Sequence, residues 1–121
     1  MIHRAYGAHA LVPGPNGKTI DEHYGRASSE TDAYSVAHMF APAGWHEPAQ
    51  VADFDEVNLV VSGQLAIETD VGLTIVRPGE SAQVAAGTRV RFRNASAQVP
   101  CEYWSLCVPA WRPDRVRAEA E

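Results

Sequence analysis

From Tyr34 onward, short apolar-rich runs alternate with turn-forming residues, and within the runs the period is two, the spacing of half-buried strands. The pattern predicts strands over Tyr34–Phe40, Val57–Val61, Gln64–Thr69, Leu73–Val76, Ser81–Val84, Val90–Arg93 and Glu102–Val108. Between them lie Ser62-Gly63, Asp70-Val71-Gly72 and Pro78-Gly79, residue types that supply the backbone angles of tight turns. No long helical period emerges, and the one helix candidate is Pro113–Glu121, with Asp114 as its N-cap. Strands at a spacing of roughly 8–12 residues imply an all-β sandwich or barrel. Residues 1–33 are irregular, with Pro13, Gly14, Pro15, Asn16 and Gly17 followed by the polar run GRASSETD, and read as an arm or a set of short edge strands. The expected organisation is an arm over 1–33, a β-domain over 34–110 and a short tail over 111–121.

A length of 121 residues allows one domain with its own core. A hydrophobic share of 45% with 21% charged residues is ordinary for a soluble globular chain. The net charge of −5 argues against nucleic acid, whose binding draws on clustered Lys and Arg. Only Arg89, Arg91 and Arg93 cluster, and alternation places them on one strand face. No segment approaches the ~20 apolar residues of a membrane span, and MIHRAYGAHALVPG lacks the apolar stretch of a secretion signal. Cys101 and Cys107 sit in one strand-like run, roughly 20 Å apart if extended, beyond disulfide reach. These features together imply a cytoplasmic protein with free thiols.

Candidate chemistry concentrates in GWHEPAQVADFDEV, residues 44–57, which holds one His, one Gln and four carboxylates just before the strand NLVVSG. Glu56 is expected to point inward with Asn58 and Val60, where desolvation would raise its pKa toward general acid–base use. His38, on the strand face of Val36 and Phe40, and His46, in the loop, are candidate proton shuttles. Glu47 and Gln50 flank Pro48, which stiffens the loop and aims them at a polar substrate. Tyr103 shares parity with Cys107 on the last long strand and offers a buried hydroxyl. Trp45 and Phe92 are apolar contacts at the mouth and wall.

The turns also carry a family resemblance. Glu56, six residues and Gly63 (EVNLVVSG) resemble the second half of the first cupin motif. Gly79, five residues, Ala85, Ala86, Gly87 and then Asn94 resemble the second motif, G-x5-P-x-G-x2-H-x3-N. The 15 residues between the motifs, Gln64–Pro78, match the hairpin of small bacterial cupins. Covering residues 34–110, the resemblance implies a small single-domain cupin: a jelly-roll double-stranded β-helix, homodimeric, its arm packed on the barrel or on the dimer partner. The motifs are degenerate. Their first two His positions fall on Gln50 and Ala52, or on Ala49 and Val51, and the second-motif His falls on Val90. A metal set, if present, would have to be His38, His46, Gln50 and Glu56.

The leading expectation is therefore a cofactor-free enzyme that isomerises, cyclises, dehydrates or eliminates on a small polar molecule. Glu56 would work with His38, His46 or Tyr103, and Glu47, Gln50, Asn58, Trp45 and Phe92 would contact the substrate. A metal-dependent oxygenase or lyase using a divalent metal and a non-catalytic small-molecule-binding domain are the alternatives. Neither nucleic acid nor membrane is expected as a partner.

Overall fold

Buried and exposed side chains alternate along the long strands with period two, and this alternation decides which faces meet. In β10 (Cys101–Val108), Cys101, Tyr103, Ser105 and Cys107 are buried, whereas Glu102, Trp104, Leu106 and Val108 face outward. In β5 (Asp55–Ser62), Asn58 and Val60 are buried, and in β9 (Arg89–Asn94) Val90, Phe92 and Asn94 are buried. A computed structural model describes residues 1–3 and 10–120. The remaining described strands are β1 (Ala10–Pro13), β2 (Thr19–Tyr24), β3 (Ser35–Ala41), β4 (Gln50–Ala52), β6 (Leu65–Thr69), β7 (Gly72–Val76), β8 (Ser81–Val84) and β11 (Val116–Ala118).

They form two antiparallel sheets, ordered β1-β2-β3-β10-β5-β8 and β11-β4-β9-β6-β7. The sheets pack through a core drawn from both, with Val60, Cys101 and Tyr103 of the first against Leu65, Val90 and Phe92 of the second. A smaller cluster of Ala52, Phe54 and Cys107, covered by Trp111 and Val116, lies beside it. This is the double-stranded β-helix expected from the sequence, except that the described sheets remain two layers and are not joined by strand pairing into a closed barrel. No helix among the described residues is long and apolar enough to cross a membrane.

The C-terminal end differs from the sequence expectation, whereas the N-terminal segment takes its edge-strand form. Within 1–33, β1 and β2 pair with each other, and β2 pairs with β3, so this segment extends the six-stranded sheet. The turn Pro15–Gly17, with Asn16 and Gly17 at φ 56 and 85, reverses the chain between β1 and β2. At the other end, Pro113–Glu121 is not a helix. Pro113–Arg115 makes one 3-10 turn and Val116–Ala118 pairs with β4. Asp114 makes no cap, because its carboxylate is held by the Arg112 guanidinium at 2.8 and 2.5 Å. Val116, a β-branched residue, packs onto the small cluster instead.

Gly63, the motif glycine between β5 and β6, has φ 74, and a Cβ there would abut the Pro100 carbonyl and come within 2.9 Å of Cys101 Cα. Both neighbours are backbone and cannot move aside. Gly63→Ala is therefore expected to lower stability by about 2–4 kcal/mol, combining left-handed strain with the clash. Chemical denaturation checks it, and a loss below about 0.5 kcal/mol, the range of neutral surface changes, would show that the turn can relax.

Candidate functional site

Where the two apolar clusters meet, polar side chains leave a cavity of about 160 Å³. Its polar groups are Lys18, Glu22, Glu47, Gln50, Glu56 and Tyr103, with Ser105 behind them, and Phe54, Phe92 and Trp111 form much of the apolar wall. Lys18 is central. It follows the Pro15–Gly17 turn at the entrance to β2, and its side chain is turned inward to 7% exposure. Nζ donates to the Tyr103 hydroxyl at 3.1 Å, lies 3.6 Å from Glu47 Oε2 and sits 4.4 Å above the Trp45 ring. Trp45 is fixed in turn by its indole N–H, which donates to the Pro15 carbonyl at 2.7 Å. From β5, Glu56 reaches the same group and accepts from Ser105 Oγ at 3.0 Å.

Burial sets the protonation of this group. It pushes the Glu47 carboxyl up, against the pull of Lys18. It raises Glu56 as well, opposed by Lys18 and by the Ser105 hydrogen bond. Tyr103 is pushed up to about 12 by burial, so the phenol stays protonated, and Cys107 reaches about 12 for the same reason. Burial alone would lower Lys18, but the facing Tyr103, Glu47 and Glu56 outweigh it and hold the ammonium above its ordinary range. The site thus offers one fixed cation, two carboxyls of raised affinity for protons, and a phenol, all within a dry apolar wall. Cys107, protonated and buried, is not an activated thiol.

The structure separates the sequence candidates into two groups. Glu47, Gln50, Glu56, Phe92 and Tyr103 line the cavity, and Trp45 lies under Lys18. His38 does not. It faces outward from β3, where Nε2 meets Glu102 Oε2 at 2.6 Å and its ring tilts against Trp104 at 5.0 Å. On that strand Ala37 and Met39, not Val36 and Phe40, are the inward face. His46 is exposed as well, because its neighbours Trp45 and Glu47 take the inward positions. Neither His can act with Glu56. Asn58 is fully buried near Glu56, yet no hydrogen bond of ordinary geometry reaches either side-chain atom among the described residues. Lys18 was missed from sequence because a Lys just after a PNG turn normally faces solvent. The only signal was the alternation of TIDEHY, which makes the segment a strand.

The metal set His38, His46, Gln50 and Glu56 is not assembled, since both His rings lie outside. Among the described residues no group of three or more His, Cys, Asp and Glu side chains is placed to hold a metal ion. The cavity's own donors do not fit one either. They are an amide and three carboxyls, of which Glu22 is already taken up by the Ala27 and Ser28 amides and Glu47 has an ammonium at 3.6 Å where a cation would have to bind.

Two kinds of likeness place the chain. Its class is that of the double-stranded β-helix, as the solved structures show. The Streptomyces nucleoside dehydratase Pac13 superposes with a TM-score of 0.78 over 98% of this chain and 92% of that one, at 13% identity. A Klebsiella pneumoniae protein with a double-stranded β-helix domain gives 0.70 over 92% and 91%, at 15% identity. In sequence, the chain is 45% identical over 109 residues to a protein of Myxococcus xanthus strain DK1622 named endoribonuclease YbeY. That match takes in 90% of this chain but only 37% of the relative, so the chain spans little more than a third of its length. No family model matches.

The Myxococcus relative corrects the sequence reading in four respects. The recognition as a small cupin enzyme holds for the fold and not for sequence kinship, which points to a protein named as an endoribonuclease. Acid–base chemistry on a small polar molecule loses its support, and with it the lyase, isomerase and cyclase assignment. The expected partner set, a small molecule without nucleic acid, is overturned by a relative whose name denotes action on RNA. The net charge of −5 does not decide the matter, because it describes the whole chain and not any one surface.

Two stability predictions follow from the buried group. Glu47 and Glu56 have raised folded pKa values, so their contribution is full below the ordinary carboxylate range and is lost as pH rises through the folded values. Lys18→Met removes the cation that limits this loss. It should cost about 3–5 kcal/mol at pH 8, with the deficit shrinking as pH falls toward the carboxylate range. Denaturant titrations at several pH values would read it, and a deficit independent of pH would show that the carboxyls are not its cause. Asn58→Leu removes an unpaired buried amide, so it should leave stability within about 1 kcal/mol of wild type or raise it. A loss above about 2 kcal/mol would mean that the amide is satisfied.

Proposed function

We propose that this chain is an RNA-handling domain that takes one nucleotide ring of an RNA strand into the cavity between its sheets, in the service of endoribonucleolytic processing. The observation that carries this is the 45% identity over 90% of the chain to the protein named endoribonuclease YbeY. The cavity adds the form that RNA contact would take. Its volume, about 160 Å³, is near that of engineered cavities of ~150 Å³ that admit a single benzene. One ring fits, and a stretch of strand does not.

Charge favours the base or ribose over the phosphate as the inserted group, because Glu22, Glu47 and Glu56 present three carboxyls against one ammonium. Phe92, Phe54 and Trp111 offer apolar faces, while Lys18, Gln50, Glu56 and Tyr103 offer hydrogen bonds to a ring edge. Proteins read splayed single-stranded RNA by this combination of apolar walls and edge contacts. A second reading, that the chain itself cuts RNA, draws on the carboxyl pair flanking Lys18. An ionised Glu56 could take the proton of a ribose 2′-hydroxyl as its oxygen bonds to the adjacent phosphorus; the P–O5′ bond breaks, leaving a 2′,3′-cyclic phosphate, and the Lys18 ammonium gives a proton to the departing 5′-oxygen.

One experiment separates these. A 3′-labelled single-stranded RNA of mixed sequence is titrated with protein at low salt, and the same samples are run on a denaturing gel. Saturable binding is expected, weakened about tenfold by Glu56→Gln, the loss of one charge-assisted hydrogen bond. Products that vanish in Glu56→Gln would establish the cutting reading. Absence of saturable binding would sink both.

A further inference from the structure

The cavity does not stand alone. A second, open groove of about 660 Å³ runs along Leu11, Val12, Arg26, Trp111, Arg112 and Asp114. Val12 and Trp111 belong to both walls, so the groove and the cavity meet at these two side chains. The groove is also where cations gather. Arg26, Arg112 and Arg115 converge on the single carboxylate of Asp32, at 3.8, 3.4 and 2.9 Å. Arg112 also clamps Asp114, so the groove's own wall carries two guanidiniums, Arg26 and Arg112, to one carboxylate, an excess of one positive charge (2 − 1) on a chain of net −5.

The positions of these groups are fixed by the fold. Glu22, whose side chain also lines the cavity, accepts from the Ala27 and Ser28 amides at 2.8 and 2.9 Å and so holds the loop carrying Arg26. The Trp111 amide donates to Ser35 Oγ at 2.9 Å, and Arg115 Nη1 donates to the Ala110 carbonyl at 2.7 Å. The guanidinium heads themselves are accessible, Arg26 at 50% and Arg112 at 32% exposure. Such exposed ion pairs contribute about 0–1 kcal/mol, so exchanging Asp32 for another oxyanion costs little. Guanidinium forks match phosphate in the same geometry as carboxylate.

We propose that this groove is the track of the RNA backbone, its phosphates on Arg26 and Arg112, with one nucleotide turning inward between Val12 and Trp111 to reach the cavity. The proposal rests on the reading that the cavity takes a ring from RNA. It resolves a difficulty of that reading: the carboxyl-lined cavity repels phosphate, and the adjoining groove supplies the cations that the strand needs. Trp111, at the junction, presents an aromatic surface on which a flanking base can stack.

The test is a salt titration of short single-stranded RNA against wild type, Arg26→Gln/Arg112→Gln and Arg77→Gln, beside titration of the four free ribonucleosides. Arg77 lines neither the cavity nor the groove. The double variant should bind RNA about tenfold or more weakly at low salt, with a log–log salt slope shallower by about two, one for each lost phosphate contact. Its ribonucleoside affinity, which involves no phosphate, should match wild type, and Arg77→Gln should match wild type in every respect. RNA affinity and slope unchanged in the double variant would overturn the track while leaving ring binding intact. Loss of ribonucleoside binding in the double variant would overturn it too, by placing the arginines inside the ring site. Wild type that binds neither RNA nor ribonucleosides removes the underlying reading and the track with it. Thermal melts verify that each variant is folded.

Discussion

The arrangement of this domain depends on where it puts one lysine. Lys18 lies between the two sheets, touching Tyr103 of β10, Glu47 of the loop before β4, and the Trp45 ring. An ammonium in such a place is tolerated only when carboxylates and hydrogen-bond acceptors surround it. That requirement explains why Glu47 and Tyr103 turn inward and why the Pro15 carbonyl ties Trp45 beneath it. Glu56 joins them from β5 and is balanced by the same charge. Polar chains held this way cannot interdigitate like Leu or Val. The cavity is the space they leave where the two apolar clusters would otherwise merge.

The same lysine bears on the contrast between fold and sequence relatives. The double-stranded β-helix is shared with proteins only 13–15% identical, which shows how little sequence the sheet layout requires. A cupin motif read by spacing therefore finds turns and strand lengths. It does not find ligands, and here all three expected His positions hold other residues while the Lys18 ammonium shares the cavity with the retained Glu56. The protein with real sequence kinship, at 45% identity, bears a different name, and the chain spans 37% of it. Which chemistry belongs to this part and which to the remainder is a question about the cavity, since the core strands would look alike in either case.

Legibility from sequence followed the strength of the local period. In β5 and β10 the period of two is clear, so Glu56 was read as sharing a face with Asn58 and Val60, and Tyr103 with Cys107. Which β10 face turns inward was not legible, because the outward set of Trp104, Leu106 and Val108 is the more apolar. The turn at Gly63 was equally legible, because positive φ against a neighbouring backbone leaves only glycine. β3 was ambiguous. SVAHMFA has apolar residues on both faces, and the inward set is Ala37 with Met39, whose small and flexible side chains look no more core-like than Val36 and Phe40. That one parity moved His38 to the outside. Lys18 was illegible for another reason: its burial is compensated by Glu47, Trp45 and Tyr103, which lie 27 to 85 positions away along the chain. At the tail, Asp114 looked like a cap until Arg112 claimed it.

Net charge is blind to the same distances. Counting residues gives −5, and the arginine series visible in sequence, Arg89, Arg91 and Arg93, lies along one strand. In the fold two of these are spent, Arg89 on Glu119 at 2.8 Å and Arg93 on Glu68 at 2.6 Å, each close to one-to-one. The local excess arises elsewhere, from Arg26, Arg112 and Arg115 around Asp32, residues brought together across 89 positions of sequence (115 − 26). Because exposed charges separated by more than about 8–10 Å are screened at ordinary ionic strength, a polyanion responds to this patch and not to the whole-chain sum. An acidic chain can therefore present a cationic groove, and the groove that does so here adjoins the cavity.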